Sequence, residues 1–179
     1  CKMRKLILAL VLAMGMSSPT WAAWPMWDAF KAVGIENGRV IDYSDARAVT
    51  TSEGQSYAMF FALVDNDRET FEELLAWTEN NLSGGDITKN FAAWLWGRDG
   101  NDWTILDTNN AVDSDMWIAY CLLEAGRLWD RPDYIEKAHA MLELLKTQVR
   151  EIDNLGKVLL PGRIGFEHDG EYKLNPSYY

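Results

Sequence analysis

Residues 44–66 read SDARAVTTSEGQSYAMFFALVDN, and the reading of the fold turns on their centre. Ser52 followed three residues later by Gln55 has the spacing of a capping box, which predicts a helix over 52–64 with Glu53 in its first turn. Tyr57, Met59, Phe60 and Phe61 follow at once. A carboxylate at a helix mouth beside an aromatic wall is a candidate proton donor, because desolvation favours the protonated form that an acid catalyst needs. A first-turn glutamate stabilised by the helix dipole has the same spacing, so both readings stand at this point.

Outward from this helix, the chain reads as helices separated by loops with short extended pieces. A short first helix is expected over 27–33, closed by Gly34. A third, over 68–82, starts at the cap Asp67 and shows Phe71, Leu74, Leu75 and Leu82 on one face before Ser83-Gly84-Gly85 ends it. Trp94-Leu95-Trp96 and Trp103-Thr104-Ile105-Leu106, joined by a Gly/Asp/Asn turn, predict a β-hairpin. A fourth helix is expected over 113–129. A fifth, over 132–152, would be capped by Asp130 with Pro132 in its first turn; Ile135, Ala138, Met141, Leu142, Leu145 and Val149 supply its stripe. A second extended pair, 158–160 with 163–166, is expected around Pro161-Gly162, and a further helix near 175–179. The class is all-α with β-hairpins in the loops.

Composition narrows the partners. The chain has 179 residues and a formal charge of −10, which excludes a nucleic-acid or anionic-membrane binder and suits a neutral ligand. Lys2, Arg4 and Lys5 precede an apolar run over 6–16, too short for the ~20 residues a bilayer span needs. With Thr20 and Ala22 at the −3 and −1 positions, residues 1–22 read as a signal peptide, Met3 as the start, and 23–179 as an exported, periplasmic or secreted part with no membrane contact after cleavage. Only Cys121 would remain, so no internal disulfide is available there. His139 and His168 lack companions at ligand spacing, so neither a metal nor another cofactor is expected.

Two predicted helices begin with carboxylates: Glu53 on one, Asp113 and Asp115 on the other. Capping explains one aspartate but hardly demands two; two are few for a calcium site. Arranged about a common axis, the three carboxylates would meet in one cleft. Nine tryptophans serve core packing or, with an acidic exported chain, the flat faces on which sugars stack.

At these residues the chain resembles glycoside hydrolase family 8, closest to its periplasmic members encoded with bacterial cellulose synthase. The matching stretches are GRVIDYSDARAVTTSEGQSYAMFFAL (38–63), WTENNL (77–82), AWLWG (93–97), AVDSDMWIAYCLLEAGRLW (111–129), LLPGRIGF (159–166) and NPSY (175–178), in the family's order. Val112 and Ser114 are conservative departures from its aspartate signature. The resemblance implies an (α/α)6 toroid of six helical hairpins, with the sugar cleft over the N-terminal ends of the inner helices. It implies hydrolysis of β-1,4-glucan with inversion, Glu53 as general acid, and Asp113 orienting the distorted sugar and the water. Tyr178 resembles a tyrosine of the same subsite. Asp115, Gln55 and Tyr57 are further substrate-binding candidates, with Trp94 and Trp96 as stacking platforms. The cellulose-synthesis machinery is the implied partner. Five helices are fewer than the family needs, and no residue matches its general base. The expectation is therefore the N-terminal part of a catalytic domain, poorly soluble and inactive alone, with Phe60, Phe61, Trp117 and Leu123 on its uncovered face. A non-catalytic saccharide-binding or assembly remnant, and a relative acting on xylan or chitosan, are the alternatives.

Overall fold

The structure is a computed structural model that describes residues 24–176. The leader, its cleavage site and Tyr178 lie outside the described residues. Helix α1 spans Pro25–Gly34, with Pro25 where its missing N–H costs nothing. The short strands β1 (Ile35–Glu36) and β2 (Arg39–Val40) follow as a hairpin. Its turn puts Asn37 at φ 52° and Gly38 at φ 76°. Gly38 is needed twice over, since a Cβ there would also lie 2.3 Å from the Glu73 carbonyl oxygen. Strand β3 (Thr50–Thr51) runs directly into α2 (Ser52–Val64), and α3 (Arg68–Leu82) returns alongside it. Strands β4 (Ala93–Asp99) and β5 (Asp102–Asn110) form the long hairpin that leads into α4 (Val112–Trp129) and its partner α5 (Pro132–Lys146). Strands β6 (Val149–Ile152) and β7 (Gly156–Leu159) pair, as do β8 (Glu167–His168) and β9 (Glu171–Tyr172).

The helices make two hairpins side by side, α2/α3 and α4/α5, which meet through α2 and α4. Their shared core is Met59, Ala62, Phe71, Leu74, Ile118, Leu122, Ala125, Ala138 and Met141, all nearly or wholly buried, with Trp27 of α1 closing one end. Polar ties lock the corner between α2 and α3. Asp67 caps α3 through the Thr70 N–H (3.2 Å) and also accepts from Trp27 Nε1 and Lys31 Nζ. Burial works against its charge, but these donors win and hold the carboxyl below its ordinary range. Asn66 beside it accepts from Trp129 Nε1 at 2.8 Å, joining the two hairpins.

Four local expectations are corrected. The N-cap of α2 is Thr51, whose hydroxyl accepts from Gly54 N at 3.0 Å; Ser52 is the first helical residue, and Gln55 turns into the core instead of completing a box. Asp130 does not cap α5. It ends α4 in the left-handed conformation (φ 56°), and Arg131 is the N-cap. Helix α5 stops at Lys146, and Val149 belongs to a strand. The 3/4 stripe ran on across this boundary, but the β6/β7 ladder supplies the backbone partners that further helix would have needed. The pair expected around Pro161-Gly162 is absent for the same reason: Val158 and Leu159 pair backwards with Arg150 and Val149. Of the four residues expected on an uncovered face, Phe61 is exposed, whereas Phe60, Trp117 and Leu123 are partly buried against the core. Among the described residues no helix is long and apolar enough to cross a membrane, and no three metal-ligating side chains converge.

Candidate active site

A three-stranded sheet in the order β3-β4-β5 sets the site. Its outer strands each feed a helix: β3 ends in α2 and β5 ends in α4. The two helix starts therefore flank the central strand, and Glu53 and Asp113 each sit as the second residue of their helix. Glu53 is exposed, and the strand before it is pinned. Arg39 Nε donates to Thr50 Oγ1 at 2.8 Å, and that hydroxyl donates to the Val40 carbonyl at 2.5 Å. Asp113 is exposed too, and its Oδ1 accepts from the Ser114 N–H at 2.8 Å, which fixes one oxygen and leaves the other for a ligand.

Both carboxylates line one cavity of ≈ 310 Å³, together with Trp94, Asn109, Asn110, Pro161 and Phe166. A smaller hollow of ≈ 170 Å³ between the same carboxylates is walled by Tyr57 and Trp117. A third, of ≈ 280 Å³, continues past Glu53 towards Val40, Asp42 and Val49. Glu53 thus stands at the junction of a groove, with space on either side. Tyr57 is hydrogen-bonded to Glu53, and its ring meets Trp117 edge-on at 6.4 Å. Burial first, then the neighbouring Glu53 and Asp113 carboxylates, raise the phenol above its ordinary range, so it stays a hydrogen-bond donor. The arrangement offers two carboxyls and a phenol in an aromatic-walled groove, a donor and acceptor set suited to a polyhydroxylated neutral ligand.

The remaining sequence candidates divide. Trp94 faces the cavity, and its side chain is hydrogen-bonded to Asp107. Trp96 does not, because register shifts on either side of Leu95 break the alternation that would place both rings on one face. Instead Trp96 stacks on Trp103 (5.1 Å, 9°) beneath the Arg39 guanidinium at 4.5 Å. Gln55 is wholly buried. Its Oε1 accepts from Val40 N at 2.6 Å, and its Nε2 donates to Gly38 O at 3.0 Å and Thr78 Oγ1 at 2.9 Å. With every polar atom engaged it has nothing to offer a sugar; it holds the β1/β2 hairpin against α2 and α3. Asp115 is 2 % exposed and sits behind the cleft, accepting from Asn110 Nδ2 at 2.8 Å and from the Ala92 N–H. Burial pushes its carboxyl up to about 7 against these two donors. Burial corrects the assignment of Gln55 and Asp115 to direct sugar contact, and half-buried Trp96 lies outside the cavity that Glu53 and Asp113 line. Phe166 and the pair Asn109-Asn110 were not singled out from sequence. The run LLPGRIGF carried a signal for the first, but nothing local marks two asparagines at a strand end.

The site is thus framed by a scaffold of helical hairpins with a carboxylate pair at the mouths of two adjacent helices. The family model described as "Glycosyl hydrolases family 8" matches residues 1–179, and the chain belongs to that family. It is 49% identical over 176 residues to an endoglucanase of Xanthomonas axonopodis pv. citri, covering 96% of this chain and 46% of that protein. To an endoglucanase of Escherichia coli K12 it is 46% identical, covering 98% and 49%. The crystal structure of an endo-1,4-D-glucanase from Vibrio fischeri superposes with a TM-score of 0.84 at 53% identity, covering 87% of this chain and 46% of that one. The family 8 endoglucanase of Klebsiella pneumoniae gives 0.77 at 34%, covering 87% and 49%. The described helices and hairpins are thus part of the family's (α/α)6 fold, and the chain spans about half the length of the curated relatives it matches.

Proposed function

We propose that this chain carries the acid half of an inverting endo-β-1,4-glucanase active site. The observation that carries the reading is the placement of Glu53 and Asp113 at matching positions of two adjacent helices, in one groove that runs on past Glu53 in both directions. A chain bound along that groove would present an internal glycosidic oxygen to Glu53. Glu53 donates its proton to that oxygen as the bond breaks, with Tyr57 holding the carboxyl in place. Asp113, fixed by the Ser114 N–H, accepts a sugar hydroxyl and orients the ring. Trp94 and Phe166 supply apolar faces. The names of these relatives, endoglucanases and an endo-1,4-D-glucanase, support a β-1,4-glucan as substrate.

Inversion requires a second carboxyl some ~6.5–9.5 Å across the bond to activate water. Among the described residues the carboxylates lining the central cavity are Glu53 and Asp113. The base is assigned to the part of the family fold that this chain does not span, and residues 23–179 alone are expected to lack turnover. Export after cleavage before Ala23, and action beside a cellulose-synthesis apparatus, complete the proposal. The first is supported by the basic-apolar leader, and N-terminal sequencing of exported protein tests it. For the chemistry, the test is Glu53→Gln in the complete gene product containing this chain, with reducing-sugar release from carboxymethylcellulose. A loss of roughly 10²–10⁴-fold is expected, with oligosaccharide binding retained. Near-normal turnover would return Glu53 to a helix-stabilising role.

A further inference from the structure

The loop over 160–166, between β7 and β8, brings Pro161 and Phe166 to the cleft. It has little regular structure of its own, yet it is tied to the segment just before Asp113 by a dense set of hydrogen bonds. Asn109 pairs with Ile164 as a strand would, donating from Nδ2 to its carbonyl (2.9 Å) and accepting its N–H at Oδ1 (2.9 Å). Asn110 Oδ1 accepts the Arg163 N–H at 2.8 Å, and Val112 N donates to the Pro161 carbonyl at 3.0 Å. Contact is so close at Gly162 that a Cβ there would stand 2.7 Å from the Asn110 carbonyl oxygen and 2.9 Å from the Phe166 ring.

An asparagine amide can face either way round, and only one orientation presents its oxygen to Arg163. Asp115 supplies the choice. As an acceptor it binds the NH2 end of Asn110, which turns the Oδ1 end towards the loop. We propose that Asp115 is a positioning residue which, by fixing the Asn110 amide, clamps the 160–166 loop and so holds Phe166 as a rigid wall of the cleft. It acts without touching the ligand. The kinetic part of the test rests on the glucanase reading above; the clamp itself does not.

The donor and acceptor logic gives a sharp experiment. Asp115→Asn puts one acceptor and an NH2 group where two N–H donors now converge. The single oxygen can serve only one of them. The main-chain Ala92 N–H cannot turn away and takes it, so the Asn110 amide faces an NH2 group and must lose its partner or flip, and a flipped amide meets the Arg163 N–H donor to donor. The reciprocal exchange Asn110→Asp with Asp115→Asn restores every pairing: the carboxylate at 110 accepts from Arg163 N and from the carboxamide at 115, whose oxygen accepts from Ala92 N. Limited trypsin digestion of the complete gene product at about pH 8, where Asp115 is mostly ionised, reads the clamp directly, because Arg163 is exposed in the loop. Asp115→Asn should accelerate cleavage after Arg163 and raise KM for soluble β-glucan roughly ten-fold, the size of one broken buried pairing, with kcat within about two-fold. The exchanged pair should recover both. Failure of the exchanged pair to restore folding or trypsin resistance, or unchanged cleavage in a folded Asp115→Asn protein, overturns the proposal. Absence of glucan turnover in the unaltered protein would sink the functional reading and leave the trypsin result to decide the clamp.

Discussion

Gln55→Met isolates one question: does this side chain serve the fold or the ligand? Methionine is unbranched and of similar length, so packing is nearly conserved and the change removes hydrogen bonds alone. Three bonds of 2.6–3.0 Å are lost. Thr78 Oγ1 keeps its bond to the Leu74 carbonyl at 2.8 Å, so the groups left stranded are the buried Gly38 carbonyl and the partly buried Val40 N–H. At about 1–3 kcal/mol for the first and about 1 for the second, the cost is about 2–4 kcal/mol. For a domain of this size or larger that is a fall in Tm of roughly 4–16 °C. Thermal unfolding of the complete gene product, with KM measured well below the transition, checks it. The expected result is a large fall in Tm with KM for soluble β-glucan nearly unchanged. An unaltered Tm with a many-fold higher KM would refute the reasoning and make Gln55 a ligand-binding residue.

Asp115 also predicts a pH dependence. Its folded carboxyl titrates near 7, against an ordinary 3.8. Between those values the folded state holds a proton that the unfolded chain releases, so this contribution is fully present below about pH 4 and is lost as pH rises through 7; it amounts to at most about 4 kcal/mol. Asp115→Asn should flatten the decline of Tm between these limits, and an unchanged slope would assign the decline to other groups. Trp94→Ala should raise KM with little change in Tm, whereas Trp96→Ala should lower Tm, since its ring stacks on Trp103, meets Trp77 edge-on and lies under Arg39; kinetics and calorimetry on the pair separate the roles. Cys121 is fully buried and its thiol is pushed up to about 12 by desolvation. It should therefore react with an aromatic disulfide reagent only as fast as the protein unfolds, and rapid labelling in native buffer would contradict its placement.

The sequence by itself determined what depends on neighbours along the chain. Helices α2 and α3 fall where the apolar spacing, Asp67 and the glycines after Leu82 put them, because caps and faces are set within a few residues. The same locality made Glu53 and Asp113 visible as first-turn carboxylates. Tertiary structure decided the rest. Asp113 and Asp115 are two apart in sequence and alike in chemistry, yet helical geometry turns one to the groove and the other into the space behind it, against Ala92 and Asn110. Trp94 and Trp96 share an alternation that a β-bulge breaks. Gln55 matched a capping pattern, but the α2/α3 junction had a buried hairpin to satisfy and took its amide instead. The direction of Gln55 is chosen by backbone groups that need a partner in the folded core, and those groups lie 15 to 19 residues away along the chain.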